Sequence, residues 1–348
     1  MMKIFKKSKV LNSITGILTV AALVLVIICI DDVKSKTVLA IKSSAFTIIP
    51  SLFSVCVLCG VITKSGIIER IVIVKGIDSK LLTAFLLGNI GGYPIGAKLL
   101  CDMVNSGEIS KETAEKAVCF SFASGPAFVF GIVNSLVTKS FSLSLIIFMS
   151  VFAANLTIYI IYCCKNKYNS KHRHEYTAVT TGLIVECVRS ASYSMISIGA
   201  SIVFFSSVIA VIERLMQFTE RIPAISAFLE ISNVTEIQCN GLYQFLLICL
   251  LMAFGGICVH MQIISIVGSA FSLKSFYKSR PLQLFLTAAY ALAMCLAFKI
   301  DITADVTNVK YVLSESNSVI PLLCTLGMIL ISFTYTYPRT NKKIRTRL

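Results

Sequence analysis

Four short stretches of this chain carry residues whose types and spacing could do chemistry. In the first, LGNIGGYPIGAKLL from Leu87 to Leu100, Gly91, Gly92, Pro94 and Gly96 fall within six residues. Glycine loosens the backbone and proline removes an amide, so no regular helix survives there and backbone polar groups are freed. A helix restarting after Pro94 would turn its N-terminal amides toward an anion, with Tyr93 as an aromatic face and the Lys98 ammonium one turn on. The competing reading is a structural hairpin whose Lys98 snorkels to the membrane interface.

The second stretch is Ser124, Gly125 and Pro126, another break able to start a helix and offer amides to a ligand. The third, FLEISN from Phe228 to Asn233, places Glu230 and Asn233 in an apolar neighbourhood. A carboxylate at membrane depth is costly, so Glu230 is paired, protonated or hydrated, and it becomes a candidate for coupling transport to protons or a cation. A surface carboxylate just outside the membrane is the alternative. The fourth joins Gly255 and Gly256 to His260 and Gln262. His260 either titrates near neutral pH and donates to a substrate, or is satisfied by a neighbouring helix.

The elements that must position these residues are membrane helices. Hydrophobic residues make up 56% of the chain and charged ones 14%, with a mean hydropathy of +0.84, far more apolar than a soluble domain of this size can bury. Crossing a hydrocarbon layer of roughly 30 Å takes about 20 apolar residues. Eight runs qualify: Ile14 to Ile30, Ala45 to Thr63, Ala117 to Val137, Phe141 to Cys164, Ser190 to Ile212, Tyr243 to Gly268, Leu282 to Phe298 and Val319 to Tyr337. Two further runs, Leu81 to Leu100 and Ala224 to Gly241, are interrupted near their middle, as re-entrant or unwound helices are. The expected fold is an all-α polytopic bundle with about eight spans and two broken helices.

The net charge of +15 does not indicate nucleic acid, because the basic residues sit in short runs between apolar stretches instead of on one polar face. If both broken runs return to the side they left, both termini are cytoplasmic and 24 of the 32 Lys and Arg lie on that side, Arg280 among them. The first apolar run lacks a small-residue cleavage site and reads as a signal anchor. Cys29, Cys59, Cys249 and Cys295 lie inside apolar runs and read as packing residues. No metal or cofactor is implied. HExxH, P-loop and GxSxG patterns are missing, which disfavours an enzyme.

The chain also repeats itself. Ser44, Thr47, Ser51 and Ser54 mark one helix face, and Ser190, Ser194, Ser197 and Ser201 do so about 147 residues later. A broken run and a helix opening with small residues follow each stripe. With the two striped helices running in opposite directions, the halves form an inverted repeat. Serine stripes that only ease helix packing are the simpler reading. The resulting organisation is an anchor helix over 1–40, a first repeat over 41–164, a basic cytoplasmic loop over 165–182, a second repeat over 183–300, and a last span with a basic tail over 301–348.

GGYPIGAKLL, SGPAFVFG, EISN and GGICVHMQ resemble the corresponding signatures of the YlbJ-type (SpoVV) sporulation integral membrane proteins, which carry a nucleoside-recognition or Gate domain. The resemblance runs from about Ser44 to Phe298 and departs from the family pattern at Gly91, Phe122 and Val234. It implies a transporter in the cell membrane or outer forespore membrane, contacting lipid and moving the small anion dipicolinate. A nucleoside-like solute, or a non-transporting scaffold recruiting partners through Lys165 to Arg173, are the rival readings.

Overall fold

A helix in lipid closes all its backbone hydrogen bonds internally, so long apolar runs without Pro or Gly become helices, and interruptions are tolerated only where protein covers them. The computed structural model describes residues 2–71, 78–165, 178–216, 223–299, 327, 328 and 330, with side chains from residue 14 onward. Every described element is helical. They are α1 (Met2–Ile28), α2 (Ile30–Ser65, with one π turn), α3 (Ile67–Ile71), α4 (Ser79–Gly91), α5 (Ile95–Asn105), α6 (Lys111–Ala117) and α7 (Pro126–Thr138). After these come α8 (Phe141–Lys165), α9 (Thr181–Leu215), α10 (Pro223–Leu229), a 3-10 turn (Ile231–Glu236), α11 (Leu242–Phe254), α12 (Gly256–Val267) and α13 (Lys274–Phe298).

Five described segments are long and apolar enough to cross a membrane: α2, α8, α9, α11 with α12, and α13. The run Ile14–Ile28 and α7 are shorter apolar helices. The expected span Ala117 to Val137 is corrected here. It is not one helix but α6, an unwound stretch through 118–125, and α7. Composition hid the break, because Val118 to Ala123 is apolar enough to pass for helix while its backbone is held open by the packing described below. Of Val319 to Tyr337, only 327, 328 and 330 lie among the described residues, and the basic loop 166–177 and the tail lie outside them.

Local chemistry sets several ends. The Asp78 carboxylate accepts from the amides of Lys80 (2.8 Å) and Leu81 (3.3 Å) to start α4, and Thr180 caps α9 through Leu183 N. Gly66 ends α2 in the left-handed conformation at φ 63°.

The interior falls into two main apolar clusters. The larger joins α4 to α8 and α10 to α13. The smaller joins α2 to α9 and reaches the first hairpin through Leu87, Ile95 and Leu99. The long helices pack in pairs, α2 with α9 and α8 with α13. Large apolar side chains such as Phe46, Ile196, Phe204 and Phe285 stay exposed on α2, α9 and α13. In lipid that exposure costs nothing, and close van der Waals packing holds the helices together instead.

Candidate functional site

The site is built from four backbone breaks that cross one another. The first lies between α4 and α5, where Gly92 adopts φ 78° and Pro94 stands at the start of α5. The second is the unwound stretch 118–125. Glycines let the two backbones touch: a Cβ on Gly92 would sit 2.8 Å from Gly125 N, and one on Gly96 only 1.8 Å from Ser121 O. A similar close approach occurs further along the chain. Gly255 (φ 84°) and Gly256 (φ 76°) separate α11 from α12, and a Cβ on Gly256 would meet Ile231 N at 3.1 Å, at the bend of the second hairpin. The halves then exchange contacts, α5 packing on α12 and the 3-10 turn packing on α7.

An unwound stretch in a membrane protein leaves carbonyls that something must satisfy. Here four side chains that are 0% exposed do so: Asn89 on α4, Asn155 on α8, and Arg280 and Gln283 on α13. Asn89 Nδ2 donates to Phe85 O (2.7 Å) and Phe120 O (2.9 Å). Asn155 Nδ2 donates to Asn89 Oδ1 (2.7 Å) and Phe122 O (2.9 Å). Gln283 Nε2 donates to Asn155 Oδ1 (2.7 Å) and Phe122 O (3.3 Å). Arg280 donates to Cys119 O (2.7 Å) and to Gln283 Oε1.

Sequence reasoning missed this network. Its signal was polar residues inside apolar runs, with Arg280, Gln283 and Thr287 at helical spacing. The placement of Arg280 among cytoplasmic loop charges is likewise corrected. Helix α13 begins at Lys274 and turns the guanidinium inward, 4.3 Å from the Phe276 ring centre and 5.0 Å from that of Phe122.

The sequence-derived residues are partly gathered here. The Tyr93 ring lies tilted against that of Phe122 (5.1 Å between centres) and its hydroxyl donates to Met252 O (3.4 Å). Ser124 is fully buried beside Gly125 and Pro126, and its hydroxyl has no hydrogen-bond partner among the described residues. His260 Nε2 lies 2.9 Å from Phe254 O, the bond of a ring N–H donating to a carbonyl at the end of α11. Its ring sits among Phe122, Phe254, Phe276 and Tyr277. Glu230, 3% exposed, caps its own 3-10 turn, accepting from Ser232 N (3.1 Å), the Ser232 hydroxyl and Asn233 Nδ2 (3.2 Å). Gln262 Nε2 meets Cys258 Sγ at 3.4 Å.

Lys98 lies apart from this crossing, facing the α2 and α9 pair. Its Nζ donates to Ser190 O and Ser194 Oγ, both at 2.8 Å, so the second serine stripe holds the ammonium. Lys98 lines a shallow, narrow cleft with Lys64, Asp102, Cys56, Cys187 and Ser190. Gly91 packs against Ile95 and Cys59 on the same side of the hairpin. Among the described residues no cluster of His, Cys, Asp or Glu is placed to hold a metal ion.

Apolar spanning helices, paired broken helices and a buried polar hub define a polytopic α-helical integral membrane protein. The chain is 24% identical over 277 residues, 67% of each protein, to "Sporulation integral membrane protein YlbJ" of Bacillus subtilis (strain 168). That likeness supports the sporulation membrane protein family. No family model matches the chain, so the Gate domain expected from the resemblance gains no support, and no solved structure matches either.

Proposed function

We propose that this protein carries a small carboxylate anion across its membrane. The observation that carries the reading is the reciprocal packing of broken elements, in which each half lays its hairpin on the post-break helix of the other half. Irregular backbone at membrane depth is a device of transporters, whose freed helix ends meet a solute near the midplane. The same pairing supports the inverted-repeat organisation. Cytoplasmic termini rest on the charge count. Ion pairs agree with that topology: Lys36 with Glu213 (2.8 Å), Lys64 with Glu186 and Lys80 with Glu108 (3.1 Å) each join segments assigned to one face.

Dipicolinate is the specific candidate, implied by the resemblance of GGYPIGAKLL, SGPAFVFG, EISN and GGICVHMQ to the sporulation membrane protein signatures. The test is flux of labelled dipicolinate into proteoliposomes with a pH gradient on or off. Wild-type flux above empty liposomes supports the reading. If Glu230 couples protons, Glu230→Gln retains flux and loses its dependence on the gradient, and His260→Gln shifts the pH optimum. A purified, folded protein that moves neither dipicolinate nor other small carboxylates returns the chain to the scaffold reading.

A further inference from the structure

Arg280 is a fully buried cation with no carboxylate in contact among the described residues: its partners are a carbonyl, a glutamine amide and two aromatic rings. Among the described residues its Nε has no partner. A charge in such surroundings is expensive unless an opposite charge answers it. Carbonyl capping alone does not require a cation, since Gln283 caps Phe122 O from the next turn with a neutral amide. More donors wait nearby. The hydroxyls of Ser121 and Ser124, on the stretch that Arg280 grips, and of Thr287, two turns along α13, are buried and have no partner among the described residues. The helices beginning at Pro126 and Gly256 add their positive ends to the same crossing.

We propose that Arg280, rather than Lys98, is the residue that binds the carboxylate of the transported solute, between the Phe122 and Phe276 rings. The proposal rests on the transport reading above and deepens it. Lys98 gives two of its three donors to Ser190 and Ser194 and lies apart from the crossing, whereas Arg280 stands within it and its Nε has no partner among the described residues. Because Arg280 is sealed, the anion reaches it only when the unwound stretch and α13 part, which places binding in a different conformation from the closed one described. Flanking aromatic rings favour a flat carboxylate over a branched aliphatic one.

The test compares thermal stabilisation of the detergent-solubilised protein by dipicolinate, isophthalate and succinate with that by the neutral diamide of dipicolinate. Wild type should be stabilised by the flat dicarboxylates and not by the diamide. Arg280→Gln should lose at least tenfold in apparent affinity for the dicarboxylates and with it the preference for acid over amide. Arg280→Lys should recover part of that preference, and Lys98→Met should keep it. If Arg280→Gln does not fold, Arg280→Lys carries the test, because loss of the bidentate fork alone should weaken carboxylates and leave the diamide unchanged. An unchanged acid-over-amide ratio in a folded Arg280 variant overturns the site while leaving transport intact. No carboxylate effect in wild type overturns the transport reading and the site together.

Discussion

Asn155 on α8 donates from Nδ2 to Oδ1 of Asn89 on α4 across 2.7 Å, and each amide also grips a carbonyl of the stretch between them in sequence. Two helices 66 positions apart thereby hold open the segment that would otherwise wind into a single span. The pair is buried completely, so neither amide can fall back on water.

Removing one partner should therefore cost more than one average hydrogen bond. Asn155→Leu orphans Asn89 Oδ1, takes away the nearer acceptor of Gln283 Nε2 and leaves Phe122 O with only the longer Gln283 bond (3.3 Å), and each buried group left unmet costs about 1–3 kcal/mol. A large fall in the melting temperature is expected, read with a thiol-reactive dye that reports exposure of the buried cysteines. Asn155→Asp should also destabilise, since it replaces the donor with a second acceptor. Melting unchanged by either substitution would show that the stretch is held by packing alone.

Gly96 and Gly131 make opposite predictions from the same substitution. A methyl on Gly96 would lie 1.8 Å from Ser121 O, and that backbone cannot retreat because its neighbours Phe120 and Phe122 are gripped from α4, α8 and α13. Overpacking of this kind costs about 1–3 kcal/mol or more, so Gly96→Ala should give little folded protein. Gly131→Ala has nothing within 4 Å of the new atom and should match wild type in yield and melting.

Lys98 ties the first hairpin to α9. Lys98→Met should uncouple the two apolar clusters at that contact, lowering flux while the protein stays inserted, and Ser194→Ala should produce a milder form of the same loss because Ser190 O remains. Lys98→Arg should restore part of the activity, its planar fork fitting a site shaped for a point charge only partly. Flux in proteoliposomes, normalised to inserted protein, is the measurement. Full activity in Lys98→Met would reduce the lysine to a snorkelling side chain.

Glu69, on α3 outside the spanning segments, gives a pH prediction. Burial pushes its carboxyl up, partly opposed by the Thr83 hydroxyl that donates to Oε1 at 2.8 Å. The folded protein thus holds a proton that the unfolded chain has released, so this group's stabilising contribution is full below the unfolded value, near 4.3, and is lost as pH rises through the folded one. Glu69→Gln keeps an acceptor for Thr83 and never ionises. Its melting temperature should exceed wild type at pH 8 and converge with it near pH 4. A constant difference across that range would mean that the carboxylate is hydrated.

The sequence alone determined the membrane class, most helices and the positions of two breaks, because each depends on neighbours along the chain: apolar run length, glycine freedom and the missing proline amide. Gly91 to Gly96 and Glu230 to Asn233 could be read that way, whereas Gly255 and Gly256 lay inside a run read as one span, Tyr243 to Gly268, and the structure divides it there. The break at 118–125 could be read only at its Ser124 to Pro126 end. What unwinds the rest is a set of donors brought from Asn89, Asn155, Arg280 and Gln283, and no local rule connects a carbonyl at position 119 with a guanidinium at 280. The fold likewise turned Lys98 toward a serine stripe and drew Arg280 out of an apparent loop into the core. Backbone conformation follows from each residue and its neighbours, whereas the partner of a buried polar group depends on which helices cross there, and that is decided only when the two halves pack.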